Sequence, residues 1–387
     1  MLKQYGFNLP TRIEVGAGLL KDTGKLVSEV TTGRKAFIVS DPGVKEAGIT
    51  GRVISSLEKA GFAWSLFDEV KPNPKDKDCE AGGKEAKEFE ADVIVAVGGG
   101  SVIDSAKAIS LLQSYGGPLV AYEGQGTVPG TVTPIIAVPT TAGTGSEVTR
   151  SAVITDTKRS FKTSVKDVRL APGLALVDPE TTYNLPKGLT ASTGMDALVH
   201  ALEAYTCRMA NPFSDAMALA AMEIIYPALP AVVKEGSNKQ ARDDMMIGSV
   251  LAGIAFSHAD VGAVHCLAEA IGGLYDTPHG IANSIFLPPV TAFNAEADPQ
   301  RHARAALACG LDVQNRRAED ASRLLIESLT ELSSDIGIPR FSSLEQADPK
   351  DFEKLAALSE INGSTPSNCR FIDKEGYLKI LHDCYNS

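Results

Sequence analysis

A chain of 387 residues, 44% apolar and 22% charged, is long enough for two domains and can bury a large core. Its 37 Lys and Arg against 48 Asp and Glu leave a formal net charge of −11, which argues against nucleic acid or an anionic membrane as a partner. Six scattered cysteines with no CxxC pair suit reduced cytoplasmic thiols, not a disulfide frame or a zinc cluster. The opening MLKQYGFNLPTR has no apolar signal core and no stretch is expected to span a bilayer, so the expected compartment is the cytoplasm.

Residues 5–16 alternate weakly and run into Gly16-Ala17-Gly18, an edge strand and turn before a first helix. Residues 35–40 (KAFIVS) form a short apolar run, the pattern of a strand buried on both faces. Asp41-Pro42-Gly43 closes it as a turn, and a helix is expected to about residue 60. A strand at Ala63–Phe67 leads to the stiff loop Lys71-Pro72-Asn73-Pro74, and the mixed-charge stretch 76–90 reads as a solvated helix. Residues 92–97 (DVIVAV) give a further strand. Strand alternating with helix predicts a parallel sheet joined by right-handed crossovers.

That strand runs straight into Gly98-Gly99-Gly100-Ser101 and a helix. Bare backbone amides at a helix N-terminus hold a phosphate well, and Asp104 in the first turn suits the helix dipole. The run departs from GxGxxG and lies far down the sheet for the standard arrangement, and tight turns need glycine too. Asp41 ends a parallel strand, the edge where such sheets hold a ribose 2′-hydroxyl. Strand 134–139 ends in Thr140-Thr141-Ala142-Gly143-Thr144-Gly145-Ser146-Glu147, whose hydroxyls and glycines make a second polar cradle or, more plainly, a helix cap. Residues 151–155 and 160–164 flank Asp156-Thr157-Lys158-Arg159 as a hairpin carrying Lys162, and 175–179 holds the last strand.

From Thr190 the texture becomes helix after helix, rich in alanine and leucine. The fold expected is an α/β dinucleotide-binding domain with a parallel sheet, residues 1–187, followed by an all-α metal-binding and substrate domain, residues 188–387. A cleft between them would join the phosphate cradles to the metal candidates. Asp196 and His200 are four apart on a helix and leave one face a turn apart. With His265 and His279 they make three imidazoles and a carboxylate, a set that suits iron(II) or zinc and leaves room for a substrate oxygen. Taken singly, each fits an ordinary core histidine or surface aspartate equally well.

GGGSVIDSAKA (98–108), PTTAGTGSEVT (139–149), GMDALVHALEAY (194–205) and GLYDTPHGIAN (273–283) occur in the order and spacing of the iron-containing alcohol dehydrogenases, which the chain resembles over almost its whole length. The resemblance implies hydride transfer between NAD and a small alcohol or aldehyde at one divalent metal, Fe2+ with Zn2+ as the alternative. It carries the metal ligands onto Asp196, His200, His265 and His279. It carries cofactor contacts onto Asp41, Asn73, Gly99, Gly100, Ser101, Thr140, Thr141, Thr144 and Lys162. An aspartate at the Asp41 position implies NAD over NADP, since a 2′-phosphate would meet a like charge. A homo-oligomer, a homodimer or higher, and a small-molecule substrate are expected as well. A polyol or hydroxy-acid dehydrogenase of the same superfamily is the alternative reading.

One position departs from the family. Where a second histidine often stands four residues after the third ligand, this chain has Glu269, a candidate proton relay or a mere hydrogen-bonding group. His258 stands where asparagine is more usual and reads as a core or surface histidine. Phe256, Tyr275, Ser151 and the 364–369 loop are expected to shape the substrate pocket.

Overall fold

The computed structural model describes residues 4–159 and 161–386; residues 1–3 and Ser160, the expected start of a hairpin strand, lie outside them. Contacts divide the chain into two compact units. One holds Leu9–Thr141 and Gly145–Leu185. The other holds Pro186 onward, Ala142–Thr144 and the segment ending at Asn8.

The first unit begins with β1 (Arg12–Val15), α1 (Thr23–Val30), β2 (Lys35–Val39), α2 (Pro42–Glu46), α3 (Ile49–Lys59) and β3 (Ala63–Phe67). It continues with α4 (Asp76–Glu88), β4 (Val93–Gly98), α5 (Gly100–Tyr115), β5 (Gly124–Gln125) and β6 (Ile135–Pro139). The strands β7 (Ser151–Asp156), β8 (Phe161–Lys166) and β9 (Leu174–Val177) complete it. Six strands pair in parallel in the order β1-β9-β6-β4-β2-β3. Both faces are covered, which is why these strands are so apolar. Ile38, Val95 and Val97 pack with Val27, Val53 and Leu57 of α1 and α3. Phe37, Val39, Ile94 and Ala96 pack with Ile103, Ala106 and Ile109 of α5. Neighbouring residues of one strand thus feed opposite layers.

The strand order decides where a ligand belongs. From β2 the chain steps outward to β3, then crosses back to lay β4 on the other side of β2. The C-terminal ends of β2 and β4 are therefore a switch point, where open parallel sheets bind ligands. Asp41 follows β2 and the glycine run follows β4. The expectation that this run lies too far along the sheet is corrected, because strand order undoes the distance in sequence. Two smaller expectations also change. The helix to residue 60 is two helices, because Gly48 between them takes φ +76. The β7–β8 hairpin is antiparallel as expected, but β5 joins it in a three-stranded sheet.

In the second unit every described regular element is helical: α6 (Lys187–Thr206), α7 (Pro212–Lys234), α8 (Lys239–His258), α9 (Ala263–Tyr275) and α10 (His279–Ala295) come first. Then follow α11 (Pro299–Ala308), α12 (Ala318–Asp335), α13 (Phe352–Glu360) and α14 (Lys374–Asn386), with short 3-10 turns between. Against the expectation from sequence, α7 is long and apolar enough to cross a membrane, with a mean hydropathy of 1.8 over its best window. Here it packs against α6, α8 and α11, burying Ala218, Met222, Ile225 and Leu229.

Candidate metal centre and nucleotide cradle

Three elements of the helical unit present the metal candidates. On α6, Asp196, His200 and Glu203 share one buried face at i, i+4 and i+7. His265 sits in the first turn of α9 and His279 opens α10. One ligand atom each of Asp196, His265 and His279 lies within 4.8 Å of the others. His200 stands beside this triad: its ring centroid is 4.6 Å from that of His265, and its Nδ1 is 4.0 Å from Asp196 Oδ2. That ring stacks on Phe256 at 4.2 Å, and its Nδ1 lies 3.3 Å from Gly143 O. Only glycine fits at 143, since a Cβ would come within 2.6 Å of Thr193 O.

The donors are prepared for a cation. Glu203 Oε2 accepts from His265 Nδ1 at 2.6 Å, which puts a proton on Nδ1 and makes Nε2 the lone-pair nitrogen of the neutral ring. The other oxygen, Oε1, accepts from Val264 N at 2.8 Å, placing the carboxylate at the N-terminus of α9 where the helix dipole favours it. Asn283, one turn after His279, donates Nδ2 to Asp196 Oδ1 at 2.5 Å and lies 3.3 and 3.1 Å from Nε2 of His265 and His279. Its Oδ1 is buried without a hydrogen-bond partner. Three acceptor atoms converging on one point, with an amide hydrogen standing among them, is the arrangement expected of a cation site. A divalent metal fits this donor set.

Burial drives the charge states. Burial brings His200 down to about 4, against the pull of Asp196. Burial also works to lower His265, yet the Glu203 hydrogen bond and the charges of Glu203, Asp196 and Glu269 carry it above its ordinary value. Burial pushes Asp196 upward, but the three imidazoles and the Asn283 amide bring it below the usual carboxylate range. The carboxylate is thus kept ionised inside the protein.

Glu203 and Asn283 were not singled out from the sequence. Both follow from helical spacing, Glu203 three after His200 and Asn283 four after His279. Glu269 lies half-buried one turn beyond His265, and its Oε2 accepts from Asn362 Nδ2 at 2.6 Å. His258 is elsewhere, stacked on Phe7 at 4.1 Å with its ring nitrogens on Ile254 O and Asn8 O. Of the other pocket candidates, Tyr275 donates to Asp351 Oδ2, while Ser364 and Ser367 donate to Asp260.

The α/β unit gathers most cofactor candidates along one sheet edge. Gly98 pairs with Pro139, so the glycine turn and Thr140 leave adjacent strands together, and Thr140 N donates to Gly98 O at 3.1 Å. A Cβ on Gly99 would stand 3.2 Å from Thr141 Oγ1, and one on Gly98 would strike Val102 at 2.4 Å. These glycines let α5 start hard against the sheet, and amides at a helix N-terminus suit a phosphate. Asp41 caps α2, its Oδ1 accepting from Val44 N at 3.0 Å. Asn73, at φ +52, and Lys162 both lie next to Thr155, whose N donates to Pro74 O and which pairs with Lys162. Thr144 alone of the set is grouped with the helical unit.

A family model described as iron-containing alcohol dehydrogenase matches residues 10–179, and one for the C-terminal part of the Fe-containing alcohol dehydrogenase family matches 190–385. The chain belongs to the iron-containing alcohol dehydrogenase family. A 1,3-propanediol dehydrogenase of Citrobacter freundii is 40% identical over 355 residues, 91% of this chain and 92% of that protein. Alcohol dehydrogenase 4 of Saccharomyces cerevisiae is 36% identical over 380 residues, 98% of each chain. A solved 1,3-propanediol oxidoreductase superposes with a TM-score of 0.96 at 37% identity, covering 99% of this chain and 100% of that one. Membership makes this chain an oxidoreductase of small alcohols and aldehydes, in a family that implies a divalent metal and a nicotinamide dinucleotide.

Proposed function

We propose that the chain is an NAD-dependent alcohol dehydrogenase and aldehyde reductase that uses one divalent metal, Fe2+ in the cell and Zn2+ after aerobic handling. The observation that carries this reading is the convergence of Asp196, His265 and His279 within 4.8 Å, with His200 beside them and His265 oriented by Glu203. A divalent cation held by Asp196, His200, His265 and His279 would supply Lewis acidity, and a bound nicotinamide would supply hydride chemistry. The protein's own part is to hold the donors rigidly on α6, α9 and α10 and to keep Asp196 ionised. Gly99, Gly100, Ser101, Thr140, Thr141 and Thr144 hold the phosphates and nicotinamide, with Asn73 and Lys162 beside them. Asp41 accepts from ribose hydroxyls, and Glu269 passes the alcohol proton to solvent. Six cysteines, five of them buried and none in a disulfide, suit a reducing cytoplasm. The exposed aromatic cluster of Phe7 stacked on Phe213, with Tyr5 edge-on to Phe213, on the helical unit suits a homodimer.

Metal-stripped protein reloaded anaerobically with Fe2+ or with Zn2+ tests this. NADH oxidation is followed with a panel of aldehydes, beginning with three-carbon hydroxyaldehydes because of the propanediol-acting relative. Turnover is expected only after reloading and with NADH ahead of NADPH. Full turnover in metal-free protein, or preference for NADPH, would overturn it.

A further inference from the structure

Lys107, two turns into α5, is wholly enclosed at 0% exposure. Its three N–H donors are all met: Ser146 Oγ at 2.8 Å, Thr149 Oγ1 at 3.0 Å and Ser151 O at 2.7 Å. Ser146 Oγ passes the chain on, donating to Asp104 Oδ1 at 2.5 Å, while Asp104 Oδ2 accepts from Val153 N at 3.0 Å. The helix that begins at the glycine turn therefore grips the segment from Ser146 to Val153 at several points. That segment is the exit of the hydroxyl loop, whose entrance is tied by Thr140 N to Gly98 O. The entrance is thus tied by backbone to the last residue of β4, just before α5 begins, and the exit is tied to α5 itself by a buried ammonium.

An apolar side chain would fill this space without the penalty of burying a charge. An ammonium with three directed donors does something an apolar residue cannot, which is to select one loop geometry. Burial lowers the proton affinity of Lys107, and the charges of Asp104 and Glu147 oppose that. We propose that Lys107 is a positioning residue for the dinucleotide, pinning the exit of the Thr140–Ser146 loop to α5 so that loop hydroxyls and glycine-turn amides keep one spacing. The inference rests on the nucleotide reading given above and adds a residue that touches neither the reacting atoms nor the metal.

The test uses the full-length, metal-loaded protein. Lys107→Met keeps the stem and removes the donors; Thr149→Val removes one acceptor for Lys107, and with it the long 3.4 Å bond to Ser146 O, at constant shape. NADH binding is titrated by fluorescence, metal content is measured, and steady-state kinetics are run. For Lys107→Met the dissociation constant and the KM for NADH should rise about tenfold or more, with metal content unchanged and kcat at saturation barely altered. Thr149→Val should weaken NADH binding by about fivefold, as for one hydrogen bond. If Lys107→Met gives no folded protein, Thr149→Val and Ser146→Ala carry the test on the same measure. Variants that melt lower yet bind NADH like the parent would show a purely structural lysine and overturn the inference alone. A parent protein that binds no NADH would overturn the nucleotide reading, and this inference with it.

Discussion

The sharpest test of the metal centre is Glu203→Gln, because it changes one atom type and no shape. Both Glu203 oxygens face donors, His265 Nδ1 at 2.6 Å and Val264 N at 2.8 Å. A carboxamide has one acceptor and one donor end, so it confronts one of these N–H groups with its own. The escape is for His265 to accept on Nδ1, which moves its proton to Nε2 and blocks the lone pair the cation needs. A hydrogen bond to a charged group contributes about 1.5–3 kcal/mol, so metal binding should weaken by roughly ten- to a hundredfold. Competition with a calibrated chelator at pH 8 reads this directly. The pH dependence adds a second check. Burial works to lower His265, yet Glu203 holds it above its ordinary 6.5, so protons compete for the site as pH falls through that raised value. Removing the charge lowers that value, so the deficit should shrink between pH 8 and pH 6. An affinity within about twofold of the parent at pH 8, or a deficit that grows toward pH 6, would refute the role given to Glu203.

Four further outcomes are expected. His279→Ala should lose metal and turnover by more than about a hundredfold while circular dichroism stays near that of the parent, and chelation of the parent should do the same. Asp41→Ser keeps an N-cap acceptor for Val44 while deleting the charge, so the ratio of NADH to NADPH use should fall with little loss of stability. Glu269→Gln should slow hydride transfer with NADH binding unchanged; an unchanged rate would mean that the carboxylate only holds Asn362. Glu147 is buried, and burial lifts it from 4.5 to about 7 against the Lys107 charge. Between those values the folded chain holds a proton that the unfolded chain lacks, so stability from this group falls as pH rises. Glu147→Gln should therefore stabilise the protein at pH 8 by up to about 3 kcal/mol and have little effect at pH 4.5, as read by denaturant melts.

What the sequence determined by itself is local. Short apolar runs bounded by turn residues suit strands covered on both faces, and β2, β4, β6 and β9 are such strands. The i, i+4 spacing put Asp196 and His200 on one face of α6 whatever surrounded them. The resemblance of motifs pointed to Asp196, His200, His265 and His279 as ligand candidates and to alcohol oxidoreduction as the chemistry. Tertiary structure decided what local pattern does not encode, namely which segments meet. It laid β4 beside β2 and so made the glycine run a switch point, although more than fifty residues of chain separate the two strands. It brought Glu203 against the start of α9, where one carboxylate both caps a helix and orients His265. It turned Lys107, one more lysine in an ordinary helix, into a buried pin, because only folding places Ser146, Thr149 and Ser151 around its ammonium. Spacing along a chain governs faces of single elements; hydrogen-bond partners from distant elements depend on how those elements pack.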